Sequence, residues 1–404
     1  MGILSGLLRR HIGQHGLADA LPVLISKLPE DARSLQRQLE SPQCLSPCLR
    51  EARSAAQVLS AEGFSALPSW QSLVDGCRPP IPGINEEAEL GDWPHGWQFY
   101  ANRTRNTFYV RTALMPTLDA SSRATIRSQG GPGAGRWLAA IPTTAATTLE
   151  PELMQIALRR RLRLPVPAIR NECIGRTCHA RLDPLGDHVV ACMRSGLVRR
   201  RATLLEDAFS QVFKEAGARI RNNQFVRDLG LDTSTTDNRQ IEIVAYGLPL
   251  HHGVPLWCDA TIVSPLDSRG RVKYNSHRRS GAALRNAEGR KRRRYPELLR
   301  SRGAKFLVLG AEAGGRWSDD VIFLLPSLAF SRAEASPALL RGSVRHACLA
   351  RWWSLLSIAV QKAIAATFLD DCARYHFATT SIAPLGILLD GEREAPDDSR
   401  LGPH

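Results

Sequence analysis

Apolar positions recur at helical spacing most clearly over residues 196–216, where Leu204, Leu205, Ala208, Phe209, Val212 and Phe213 fall on one side and Gly217 ends the run. Three short runs follow, at 218–226, 241–246 and 255–263, and their apolar, β-branched character predicts strands. The turn-rich link GLPLHHG joins the last two as an antiparallel hairpin. A basic helix is predicted from about 282 to 301, and KFLVLG at 305–310 has the pattern of a buried strand bounded by glycine. The order is helix, three strands, helix, strand, which makes the fold class α/β. Helices resume from 327, the longest over 344–369.

The rest of the chain gives weaker signals. Scattered helical patterns cover 17–28 and 31–39, and Pro79, Pro80, Pro82 and Gly83 interrupt them. Residues 93–114 mix aromatic and β-branched positions and are expected to form a short hairpin or a loop. SQGGPGAG at 128–135 reads as a flexible connector, and 151–164 as a helix with an arginine-rich end before Pro165 and Pro167, so a boundary falls near 170. The expected layout is a helical or irregular region at 1–125, a Gly-rich linker and helix at 126–170, and a zinc-binding module at 171–195. An α/β domain at 196–326, helices at 327–385 and a disordered tail at 386–404 complete it.

Composition changes this picture in two ways. The 404 residues carry a net charge of +14, and 13 basic against two acidic residues (Glu288, Glu297) lie between Arg269 and Arg302, so one segment supplies most of the excess and invites a polyanionic partner. Nine cysteines without a secretion signal argue against a disulfide framework and for metal ligands. No apolar stretch reaches membrane-spanning length, because Gln361 and Lys362 interrupt the best candidate. A nuclear or cytoplasmic location is expected, neither secreted nor membrane-bound.

Candidate chemistry then concentrates in three places. Cys173, Cys178, His188 and Cys192 have the spacing C-x4-C-x9-H-x3-C, with Gly175, Pro184 and Gly186 supplying turns, and four such ligands can close a tetrahedron around structural Zn2+. His179 could replace His188, and the alternative to zinc is a set of ordinary thiols with a loop histidine. Cys44 and Cys48 lack a matching pair and read as structural thiols. Glu242 and Asp259 lie on neighbouring strands among apolar residues, and hairpin pairing could bring them together as a hard-cation site for Mg2+. Either could instead face solvent. Lys291 and Tyr295 share a helical face, with Arg290, Arg292, Arg293 and Arg294 around them, a surface that can meet a phosphate backbone; a solvated charge run or a nuclear localisation signal is the plainer reading. Glu206 reads as a surface residue.

Three lookalikes carry nothing. Gly130 and Gly135 have P-loop spacing, but Arg136 and Trp137 replace the required Lys and Ser or Thr. The Phe368-Leu369-Asp370-Asp371 run ends a long helix without a polymerase hairpin. Ser264, His251 and Asp259 lack a nucleophile-elbow context.

The runs CHARLDPLGDHVVAC, QIEIVAYGLPLHHGVPLWCDATIVSPL, RKRRRYPELL and LVLGAEAGGRWS, in that order, resemble the C-terminal region of non-LTR retrotransposon polyproteins over about residues 125–370. That resemblance implies a CCHC zinc knuckle before a restriction-like endonuclease of the PD-(D/E)XK fold, which nicks target DNA to prime reverse transcription. It implies Glu242 and Asp259 as the catalytic carboxylates holding Mg2+. Thr261 stands where the D-x-K signature has lysine, and similar domains place that lysine on the following helix, which implies catalytic roles for Lys291 and Tyr295. Glu312 falls in a segment without an assigned role. The polymerase palm is absent, as in a piece of a longer element. The expected function is a metal-dependent DNA endonuclease, with DNA as partner and RNA as an alternative. A non-catalytic nucleic-acid-binding module of the same fold is the second reading, and an import or scaffold protein the third.

Overall fold

The computed structural model describes residues 54–55, 57–64, 97–167, 171–175 and 177–369. The helical signals at 17–28 and 31–39, Cys44, Cys48, Asp370, Asp371 and the tail from 386 lie outside the described residues. Contacts divide the chain into two units, Met1–Leu118 and Asp119–His404.

In the first unit, helix α1 (Trp97–Tyr109) continues through a π turn at Val110–Leu114 and a last turn at Met115–Thr117. Over 97–114 this replaces the hairpin or loop expected for 93–114, whose first four residues lie outside the described ones. The threonines that suggested a strand bond their hydroxyls to the preceding helical turn, Thr107 to the Arg103 carbonyl and Thr112 to that of Phe108, both at 2.7 Å. Such back-bonding lets a β-branched polar residue remain in a helix.

The second unit opens with α2 (Ala120–Ser128), capped where the Asp119 side chain accepts the Ser122 amide, and α3 (Pro151–Arg161), which starts on proline. A short α4 (Asp187–Ala191) precedes α5 (Leu197–Glu215), whose apolar stripe is the predicted one and is buried throughout. Then come β1 (Arg219–Phe225), β2 (Gln240–Tyr246) and β3 (Leu256–Val263). Helices α6 (Ala282–Arg294) and α7 (Pro296–Arg300) lead to β4 (Lys305–Glu312), followed by α8 (Asp319–Glu334) and α9 (Arg341–Ala365).

The sheet has the order β1-β2-β3-β4, antiparallel except for the parallel pair β3 and β4, which α6 and α7 connect as a crossover. The chain is therefore mixed α/β with an open four-stranded sheet. One face carries Ile243, Ala245, Cys258, Ala260, Leu307 and Leu309 into the main core with α5, α8 and α9. The other carries Val244, Trp257, Phe306 and Val308 against Tyr295 and Leu298. The basic helix expected over 282–301 is broken at Tyr295 (φ −128°, ψ 60°), because Pro296 excludes the helical conformation from the residue before it. Gly310 lets α6 approach β4: a β-carbon there would lie 2.6 Å from Leu284 Cδ1.

The segment 128–135 is not the flexible connector expected from its glycines. A β-carbon at Gly133, which has φ of +72°, would lie 2.2 Å from the ring of Trp353 on α9, and Ala134 is buried. These glycines serve close packing.

Candidate functional site

The register that pairs Ile243 with Cys258 and Val244 with Trp257 sets Glu242 opposite Asp259, on the face of the sheet toward α6. Lys291 reaches down from α6, where Leu284 and Ala287 are buried toward the sheet, with Tyr295 at the break and Leu298 on α7 buried beyond it. Its Nζ lies 2.6 Å from Asp259 Oδ1 and 3.8 Å from Glu242 Oε1. Glu242 Oε2 accepts the Ala260 amide. The structure thus brings together two carboxyl groups and one ammonium from three consecutive elements, β2, β3 and α6.

Their protonation follows from the setting. Burial and the charge of Asp259 raise Glu242 from its ordinary 4.5 to about 9, against the opposing pull of Lys291; the charge of Glu206 on α5 adds to the rise. For Lys291, burial works against the ammonium, but Asp259 and Glu242 outweigh it and its pKa lies above the ordinary lysine value. Asp259 is 1% exposed, and its Oδ2 has no donor among the described residues unless Glu242 is protonated and shares its proton. Asp259 Oδ2 is thus a buried acceptor left over beside a second carboxyl group.

Tyr295 is buried beside this group, its ring packed edge-on to Phe306, and its hydroxyl donates to the Gln240 carbonyl at 3.0 Å. Burial, then the charge of Asp259, raises its pKa. Its contact thus holds the start of β2, two residues before Glu242, and does not touch the carboxyl groups. Arg290, Arg293 and Arg294 are exposed, whereas Arg292 is half-buried and pairs with Asp320 at 2.8 Å.

The sequence reading did not single out Asp320, whose Oδ2 also accepts the Val308 amide at 2.9 Å and so ties α8 to β4. It treated Glu206 as surface, although the residue is half-buried and its charge reaches Glu242. Glu312 is 2% exposed at the end of β4; burial raises it to about 7, while Arg316 and a bond from the Leu284 amide at the start of α6 act the other way. The only early signal for these residues is their polarity between apolar neighbours.

The second cluster is formed by Cys173, Cys178, His188 and Cys192, whose ligand atoms all lie within 4.8 Å of one another. Cys173 and Cys192 are 3.8 Å apart at sulfur, Cys192 and Cys178 also 3.8 Å, and Cys178 Sγ is 3.4 Å from His188 Nε2. Ligands at about 2.3 Å (sulfur) and 2.0 Å (nitrogen) from one tetrahedral ion lie about 3.5–3.8 Å apart. The Cys3His set can therefore hold a metal such as zinc. His188, not His179, is the histidine that joins it. Its Nδ1 lies 2.6 Å from the Ser268 carbonyl, which only accepts, so Nδ1 carries the hydrogen and Nε2 is left to face the thiols. Arg163 holds the neighbouring Asp187 with contacts of 2.8 and 2.9 Å, fixing α4 to the end of α3.

None of the described helices is long and apolar enough to cross a membrane. Comparison with protein-family models and with curated proteins gives no match for this chain.

Proposed function

We propose that this chain is a metal-dependent endonuclease of the restriction-like kind, similar to the zinc-knuckle and endonuclease region of non-LTR retrotransposon polyproteins, and that it hydrolyses phosphodiester bonds in DNA. The observation that carries the reading is the convergence of Glu242, Asp259 and Lys291 on one face of a sheet whose elements run helix, three strands, helix, strand. That order and the parallel β3–β4 pair support the PD-(D/E)XK comparison.

Glu242 and Asp259 would hold the divalent cation, Mg2+ in this proposal, by giving up the proton that Glu242 otherwise carries. When bound, the cation supplies activation of water and neutralises charge on the phosphate. Lys291 supplies the ammonium that the D-x-K motif lacks at Thr261. Its Nζ stands beside both carboxyl groups, where it can meet the oxygen on which charge grows. Tyr295 positions β2 through Gln240, and Arg290, Arg293 and Arg294 offer exposed cations to the phosphate backbone. The zinc cluster is structural in this scheme.

One observation favours the second reading, a binding module without catalysis: the Lys291 ammonium already pairs with Asp259 Oδ1 at 2.6 Å, one of the oxygens a cation would need. A supercoiled-plasmid nicking assay with Mg2+ or Mn2+ decides between them. The endonuclease reading expects nicking by the parent protein, loss of it in Asp259→Ala, and a drop of about 100-fold or more in Lys291→Ala with DNA affinity little changed. Equal nicking by the parent and Asp259→Ala, or none by either, refutes it.

A further inference from the structure

Between β3 and α6 runs a loop that the proposed chemistry does not use. Leu266 and Val272 bridge across it, the Lys273 amide bonds the Pro265 carbonyl at 3.0 Å, and Asp267 accepts the Arg269 and Arg271 amides at 2.8 and 2.9 Å. The loop is anchored at two further points. The Ser268 carbonyl accepts from His188 Nδ1 in the Cys3His cluster, and the His277 carbonyl accepts from Arg127 Nε on α2 at 3.0 Å.

Tyr274 lies between those anchors and is 79% exposed. It is not on a loose tip: Asn275 next to it holds φ of +58°, and its carbonyl accepts the Arg278 and Arg279 amides at 3.0 and 2.8 Å. Arg269, Arg278 and Arg279 are exposed in the same loop. An exposed aromatic side chain on an anchored backbone, in a loop that also exposes three arginines, has the composition of a nucleic-acid stacking site, where cations take the backbone and the ring takes a base that is not paired.

We propose that this loop grips an unpaired nucleobase, with the ring of Tyr274 stacked on it and the loop arginines on the flanking phosphates. Away from its ends a duplex stacks its bases on both faces and leaves none free, so the ligand is a single-stranded stretch beside a duplex. This deepens the endonuclease reading and rests on its nucleic-acid partner, though not on catalysis.

The test compares Kd values, by fluorescence anisotropy without added Mg2+, for a blunt duplex, the same duplex with a single-stranded DNA tail, and the same duplex with an RNA tail. Tyr274→Ala is expected to weaken binding to tailed duplexes about 10-fold while leaving the blunt duplex unchanged, and Tyr274→Trp to retain binding. A loss on both tails identifies the base ring alone as the recognised group, and a loss on one names the strand. Undiminished tailed-duplex binding by Tyr274→Ala, or an equal loss on the blunt duplex, overturns the proposal. The plasmid assay separates the two readings: a parent that does not nick but loses tail binding through Tyr274→Ala keeps the stacking site and ends the endonuclease. An Asp259-dependent nickase indifferent to Tyr274 does the reverse.

Discussion

Glu242 lies on the face of β2 that turns toward α6, and burial there, together with the charge of Asp259, lifts it from its ordinary 4.5 to about 9. Across that window the folded protein keeps a proton that the unfolded chain has released, so stability falls as pH rises from about 4.5 to about 9. Glu312, raised mainly by burial to about 7, adds to the same slope over the lower part of the range. A glutamine at 242 occupies nearly the same volume and carries no ionisable group. Glu242→Gln should therefore flatten the dependence of Tm on pH and, at pH 8, raise Tm by about 2 °C or more, while removing the nicking proposed for the parent. Thermal unfolding of both proteins between about pH 5 and pH 8.5 checks this. A variant less stable than the parent at pH 8 would mean that Glu242 is ionised there and held by Lys291.

At the scale of elements, the Cys3His cluster does more than close its own loop. Through His188 Nδ1 it holds the Ser268 carbonyl, and so the connection from β3, with Asp259 on it, to α6, with Lys291 on it. Loading the cluster with Zn2+ and then removing the ion with a chelator should speed amide exchange in 264–281 as well as in 171–195, and leave α5 and α9 protected. Exchange confined to 171–195 would show that the hydrogen bond carries no such coupling. This link could not be read from the chain, because 80 residues separate its ends. The strands could be: alternation and β-branching placed 241–246 and 255–263 within one residue of β2 and β3, and with them the opposed Glu242 and Asp259. The face of α6 that carries Lys291 was likewise legible from apolar spacing. What failed was local composition overruled by packing or by proline. The aromatic and threonine mix at 97–117 is helical, the glycines at 130–135 lie packed against Trp353 and Arg316, and Pro296 splits the basic helix. The choice of His188 over His179, the reach of the Glu206 charge to Glu242, and the burial of Glu312 beside Arg316 depend on tertiary approach that spacing does not encode.

For the molecule as a whole, the net charge of +14 is less informative than where the charge lies. Several arginines are held in ion pairs: Arg163 with Asp187, Arg239 with Asp237 and Glu297, Arg292 with Asp320, and Arg351 with Glu215. A cation already paired in the folded protein releases no counterion from DNA unless that pair breaks. The exposed cations between β3 and β4, among them Arg269, Arg278, Arg279, Arg290, Arg293 and Arg294, remain to meet phosphate. If five or six of them do so, log Kd for duplex DNA should change with log salt concentration at a slope of about 5 in magnitude, affinity weakening as salt rises. Replacing Arg290, Arg293 and Arg294 together by glutamine should lower that magnitude by about 3. The same triple variant separates an interface from a localisation signal, since the latter predicts a slope near that of one contact and no response to the substitutions. Titrations at several salt concentrations read this directly, and a shallow slope in the parent would place the exposed cations of 269–294 away from duplex DNA.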